Sequence, residues 1–280
     1  MNNIFNFKRF GLVLSKDFRE NRKKYLLQWL TMFGIITVVF MLYSYRALQG
    51  NHNPDFNQVF LQMSSFLFLG FGVFFASTSM NSMREKTSRI AYLTMPASNL
   101  EKYLSRWLIV TIGFIIFFFI ALWMADAVRV VYCHYRNPEL DIRFLDFTKL
   151  VNPEETINFR VYAFFSKEFF AFCLCLYFFL QSLFILGAAF WQKASFVKTF
   201  SAIVVLVILF YFINWGMIKI VHHDFDNFGN QLGPFLTAKF FDFSENIFFL
   251  IGACLFIPFT FFNWIVAFFR LRESEIIKRL

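Results

Sequence analysis

Charge is what this sequence has least of. Only 16% of its 280 residues are Asp, Glu, Lys or Arg, against about 25% in an ordinary soluble domain. With 58% hydrophobic residues and 47 Phe, that deficit excludes a soluble globular fold and predicts an all-α polytopic membrane protein. The four cysteines, Cys133, Cys173, Cys175 and Cys254, form no C-x-x-C pair. Neither a disulfide nor a metal site is expected from them, and Cys173 and Cys175 fall inside an apolar run as small buried hydrophobes.

Other absences bear on function. No G-x-x-x-x-G-K-[ST] occurs, so the chain cannot cradle ATP phosphates by a P-loop. There is no H-E-x-x-H and no G-x-S-x-G, and no enzyme is expected. Glu154-Glu155 followed by Arg160 is similar to the paired glutamates of intramembrane prenyl-protein proteases, but the arginine is one position late and the stretch lies in a polar loop. His222-His223-Asp224 and Cys133-His134 have no further ligand pair at a suitable spacing and read as solvated loop. No cleavable signal-peptide pattern is present, because the basic region before the first apolar run is long and that run is long enough to span. The spans hold almost no ionisable groups; Asp126, Glu168 and Lys219 lie near span ends, where water is expected to reach them. Ion-coupled carriers place such groups or broken helices at the midplane, so a self-powered carrier is disfavoured. The net charge of +9 does not indicate nucleic acid, since the excess flanks apolar runs.

What is present is six long apolar runs, at about 20 residues per span: 25–45, 59–80, 107–128, 169–190, 200–220 and 247–269, the last with Pro258 expected to kink it. Residues 1–24 are basic, with Phe7, Phe10, Leu14 and Phe18 at helical spacing. They predict an amphipathic helix lying on the cytoplasmic membrane surface, with a soluble leader helix as the alternative. Residues 129–167 form a long loop punctuated by Asn137-Pro138 and Asn152-Pro153, and 270–280 a charged tail. Residues 191–199 make a tight return, and 221–246 form a polar, acidic connection.

The organising stretch is 81–106, NSMREKTSRIAYLTMPASNLEKYLSR. It carries Arg84, Lys86, Arg89, Lys102 and Arg106 against Glu85 and Glu101, a balance that keeps a loop in the cytoplasm. Glu85 and Arg89 form an i, i+4 pair, so the second helix is expected to continue beyond the membrane until Pro96. Ser98-Asn-Leu-Glu101 has the form of a capping box that starts a new helix. Between them Ile90, Tyr92, Leu93, Met95 and Pro96 are apolar groups on a cytoplasmic turn, and such groups need a partner to cover them. The docking surface is therefore read as Arg84, Glu85, Arg89, Ile90, Tyr92, Leu93, Met95 and Pro96. Polar residues within spans, including Gln28, Ser64, Ser77, Gln181, Asn214 and Asn263, are expected to bond between helices; those six are also the candidates to line a substrate path.

Orientation follows from charge. The N-terminus, the 81–106 loop, the tight return and the tail hold 18 Lys/Arg and 6 acids, and all other segments hold 9 and 12. The positive-inside rule places both termini in the cytoplasm, which requires an even number of spans.

A basic amphipathic N-terminus, six spans and a basic helix-turn-helix after span two resemble the permease subunit of ABC-2-type transporters. The loop text REKTSRIAYLTMPASNLEKYLSRW and the later stretch QSLFILGAAFWQKASFVKTF are similar to those of bacterial members whose permease is separate from the ATPase. The resemblance implies a permease dimer, with a second copy or a paralogue, in the bacterial inner membrane. It implies a separate ATP-binding subunit that holds ATP and Mg, no cofactor in this chain, and a coupling helix near 84–95. The long loop after span three departs from many members, whose main outer elaboration lies between spans five and six. The implied function is export of a hydrophobic or amphipathic substrate. The competing reading is a non-transporting scaffold or sensor subunit that recruits a cytoplasmic partner through the same loop.

Overall fold

The computed structural model describes residues 5–49, 56–83, 86–138, 143–146, 167–191, 193–221 and 245–276. Those residues form helices and no strand: α1 (Phe7–Gln49), α2 (Phe56–Ser77), a 3₁₀ turn (Asn81–Met83), α3 (Lys86–Leu93), α4 (Asn99–Leu108), a π turn (Ile109–Gly113), α5 (Phe114–Arg136), α6 (Lys167–Phe190), α7 (Ser195–Val221) and α8 (Glu245–Ile276). Six helical runs are long and apolar enough to cross a membrane, with α4, the π turn and α5 counting as one. The chain is thus a multi-pass membrane protein. It divides into two compact units, Met1–Phe147 with Val266–Leu280, and Thr148–Ile265.

In the first unit α1 lies along α4 and α5, with α2 against α1, α5 and the π turn. Helix–helix contact in lipid is driven by van der Waals packing rather than by escape from water, and here aromatic rings supply it. Phe40 and Phe60 meet edge to face at 4.7 Å, and Phe68 packs on Phe118 at 5.0 Å and on Phe114 at 5.4 Å. Trp29 Nε1 donates to the carbonyl of Phe117 at 3.1 Å. In the second unit Gly187 lets α6 and α7 close: a Cβ there would stand 1.9 Å from Thr199 Oγ1. Phe179 stacks on Phe256 at 4.9 Å, and Asn263 Nδ2 donates to Ser182 Oγ at 3.0 Å across α8 and α6.

Several expectations are corrected. Residues 7–24 and the first span form one helix, because α1 runs unbroken through Lys24-Tyr25. No Gly or Pro occurs between Leu12 and Phe33 to interrupt it. At 43 residues α1 is about 65 Å long, twice a hydrocarbon core of about 30 Å; its basic first third runs ahead of the apolar stretch and packs on α4. Helix α2 stops at Ser77, well before Pro96. Ser77 and Thr78 turn their hydroxyls onto the carbonyls of Phe74 (2.6 Å) and Phe75 (2.9 Å), competing with the helix ladder, and the chain tightens into i→i+3 bonds. Helix α8 continues through Pro258 and on to Ile276, so residues 270–276 of the predicted tail are helical, with Arg270 paired to Glu273 at 3.2 Å.

Candidate functional site

The capping box at Ser98 forms as the sequence indicates: Glu101 N–H donates to Ser98 Oγ at 3.2 Å, and Ser98 N–H to Glu101 Oε2 at 3.0 Å. The same carboxylate does more. Its Oε1 accepts from the backbone N–H of Asn6 at 2.7 Å and from Arg9 Nη2 at 2.8 Å, and its Oε2 accepts from Arg9 Nε at 2.6 Å. Asn6 is itself the residue that starts α1, its side-chain oxygen accepting from the N–H of Lys8 at 2.9 Å. One fully buried carboxylate thus ties together the beginnings of two helices, where partial positive charge also favours an anion. The Arg9 guanidinium, with the N–H groups of Ser98 and Asn6, holds the Glu101 carboxyl down at about 2.

About two turns further along α1 and about one and a half along α4, a second pair repeats the arrangement. Arg106 Nη2 donates to Asp17 Oδ1 at 2.8 Å, and both side chains are over nine-tenths buried. Arg106 Nη1 donates to the carbonyl of Ser79 at 3.1 Å, just past the end of α2. The guanidinium also lies over the ring of Tyr92, 4.9 Å from its centre, while the Tyr92 hydroxyl donates to the carbonyl of Lys102 at 3.0 Å. Arg106 therefore joins α1, α2, α3 and α4. Burial raises the Asp17 carboxyl against the pull of Arg106; burial and the nearby Arg106 lower the Lys24 ammonium. Both groups precede the apolar stretch of α1.

Around this pair is a cavity of about 450 Å³, reached by Asp17, Lys24, Ser79, Tyr92 and Arg106 and floored by Val13, Tyr25, Phe75 and Val110. Three buried polar atoms at it have no hydrogen-bond partner: Asp17 Oδ2, Arg106 Nε and Ser79 Oγ.

The residues read as a docking surface separate into two groups. Ile90 is 62% exposed, Pro96 is exposed and Met95 half-buried. Tyr92, by contrast, is buried beneath Arg106; its ring and hydroxyl brace the loop from inside, so its place in the docking set is corrected. Arg89 Nε donates to the carbonyl of Met83 at 2.9 Å. Arg84 and Glu85, and with them the expected Glu85–Arg89 pair, lie outside the described residues, as does the Leu93 side chain.

The path candidates fall in both units, Gln28, Ser64 and Ser77 in the first and Gln181, Asn214 and Asn263 in the second. Ser64 and Ser77 donate to carbonyls in their own helix, of Leu61 at 2.8 Å and Phe74 at 2.6 Å, and Asn214 Nδ2 donates to that of Phe210 at 2.7 Å. Backbone acceptors three and four residues behind are the nearest ones in a dry environment, so these three of the six are satisfied within a helix, and for them the expected interhelical role is corrected. Asn263 and Ser182 do bond between helices. Gln181 is fully buried, and Gln28 is half-buried with its Oε1 unpartnered.

The expectation that Asp126 reaches water is also corrected. Asp126 is 2% exposed and Arg129 fully buried; Arg129 Nε donates to Asp126 Oδ1 at 2.6 Å. The other carboxylate oxygen accepts from the N–H of Leu145 at 2.8 Å, Arg129 Nη2 donates to the carbonyl of Arg143 at 2.9 Å, and the guanidinium covers the Phe60 ring at 4.8 Å. Residues 143–146 thus bond to both members of this pair through their backbone. Glu154, Glu155, His222, His223 and Asp224 lie outside the described residues, and among the described residues no three His, Cys, Asp or Glu side chains gather as a metal site would require. Comparison with family models, curated proteins and solved structures finds no match.

Proposed function

We propose that the chain is the membrane-spanning permease subunit of an ABC-2-type transporter, moving a hydrophobic or amphipathic substrate outward with ATP hydrolysed by a separate subunit. The observation that carries this reading is mechanical. A short helix, α3, stands between two spanning helices with Ile90 exposed. Its base is fixed to α1, α2 and α4 by Arg106 and Tyr92. A force applied to α3 is passed to three long helices through buried, short bonds, which is what a coupling element driven from outside the bilayer needs. The scarcity of ionisable groups within the spans agrees with an external energy source.

In this reading α3 faces the cytoplasm and meets the ATP-binding subunit through Ile90, Leu93, Met95 and Pro96, while a second permease copy or a paralogue completes the transporter in the bacterial inner membrane. The test is copurification from native membranes in mild detergent, followed by an ATPase assay. Wild-type protein should bring down a stoichiometric P-loop ATPase. The variant Ile90→Asp/Met95→Asp should lose at least tenfold of it while retaining the wild-type thermal midpoint. An ATPase retained at wild-type levels by that folded variant would refute the docking assignment, and its absence from wild-type preparations would refute the permease reading.

A further inference from the structure

We propose that the cavity between α1, the end of α2, α3 and α4 binds the headgroup of an amine-bearing phospholipid, a phosphoethanolamine unit. Its walls offer both signs of charge at once: Lys16, Lys24 and Arg106 on one hand, Asp17 and Glu20 on the other. At about 450 Å³ it falls in the range of small-molecule sites, about 300–1,000 Å³.

The unfilled valences define the ligand. Arg106 spends its two terminal nitrogens on Asp17 and Ser79, and its Nε–H has no partner. Asp17 spends Oδ1 on Arg106 and Asn21, and its Oδ2 has none. A buried donor and a buried acceptor left unmade each carry a desolvation penalty, and a molecule that carries an anion and an N–H donor removes both. A phosphate accepts from Arg106 Nε and from Lys24, which has no ion pair among the described residues. The ammonium two carbons away donates to Asp17 Oδ2. A simple anion leaves the Asp17 oxygen unpaired. A choline headgroup does the same, because its quaternary nitrogen has no hydrogen to give.

Depth selects a lipid over a soluble molecule. Tyr25 is where the apolar part of α1 begins, Phe75 is in the last turn of α2, and Val110 is at the start of the third span. The cavity therefore sits at the level of headgroups, with apolar side chains on its membrane side for the glycerol and first acyl carbons. Amphipathic ligands with one wet and one dry end fit that gradient. The inference stands apart from the permease reading and holds for any activity of this chain.

The experiment is native mass spectrometry of the full-length protein, delipidated in mild detergent and titrated with phosphatidylethanolamine, phosphatidylcholine or phosphatidylglycerol of identical acyl chains, and separately with free phosphoethanolamine. The first lipid bound should show at least a tenfold preference for phosphatidylethanolamine over the other two. Lys24→Met, a half-buried position outside the Arg106–Asp17 pair, should lower that first affinity at least fivefold, with the thermal midpoint of the delipidated protein unchanged. Equal binding of the ethanolamine and choline lipids, or full retention by Lys24→Met, would overturn the proposal. Competition by free phosphoethanolamine at the lipid's own affinity would uphold the headgroup chemistry and overturn the lipid as its source.

Discussion

Replacing Glu101 tests the idea that one carboxylate starts two helices. Glu101→Ala removes the acceptor of four short bonds, from Asn6 N, Ser98 N and two Arg9 nitrogens. Arg9 is a third exposed and rehydrates, so little is lost there. The two backbone N–H groups lose a charged acceptor, worth about 1.5–3 kcal/mol each when wholly buried. Both lie near the surface, and the capping loss at Ser98 alone is about 1 kcal/mol, so the sum comes to about 2–3 kcal/mol. At about 2–4 °C per kcal/mol for a chain of this order, the thermal midpoint in detergent should fall by about 4–12 °C. Glu101→Gln keeps the shape and one good acceptor and should lose about half as much. The pH dependence has a definite sign. The folded carboxyl titrates near 2, below its ordinary 4.5; its contribution is therefore complete above 4.5 and disappears as pH falls from there toward 2. The gap between wild type and Glu101→Gln should close over that window. A midpoint for Glu101→Ala within 1 °C of wild type at pH 7 would refute the argument.

Two further substitutions probe the packing. Gly187→Ala places a methyl 1.9 Å from Thr199 Oγ1 and should destabilise the α6–α7 contact by about 1–3 kcal/mol, read as a lower midpoint that Thr199→Ala partly restores. Arg129→Leu leaves Asp126 buried without its cation and should cost about 3–5 kcal/mol; adding Asp126→Asn should recover most of it, as a double-variant cycle in thermal unfolding would record.

The spanning helices were legible because runs of about 20 apolar residues leave few alternatives, and the Ser98–Glu101 box because its signal lies within four residues. The ion pairs were not. Arg9 meets Glu101 and Asp17 meets Arg106 across about ninety residues, and no local pattern reports which basic residue of a positive loop turns inward. Tyr92 was misjudged for the same reason: an aromatic on a turn reads as exposed until an arginine is found to cover it. Asp126 and Arg129, at i and i+3 near the end of a span, carried a readable clue, since an opposite pair at that spacing can neutralise itself and stay dry.

The wide turn at Ile109–Gly113, where Phe114 N–H reaches back to the carbonyl of Ile109, sets the phase between the two ends of a long rod. Before the turn the buried positions include 101, 105, 106, 109 and 110, and after it 114, 118, 121, 122, 125 and 129. With 3.6 residues per turn, one inserted residue rotates all that follows by about 100°. The residues after the turn therefore meet their neighbours on a face about 100° away from the one an uninterrupted helix would present. The insertion acts as a spline cut between two keyed ends, letting one rod lock into different neighbours at its two extremities.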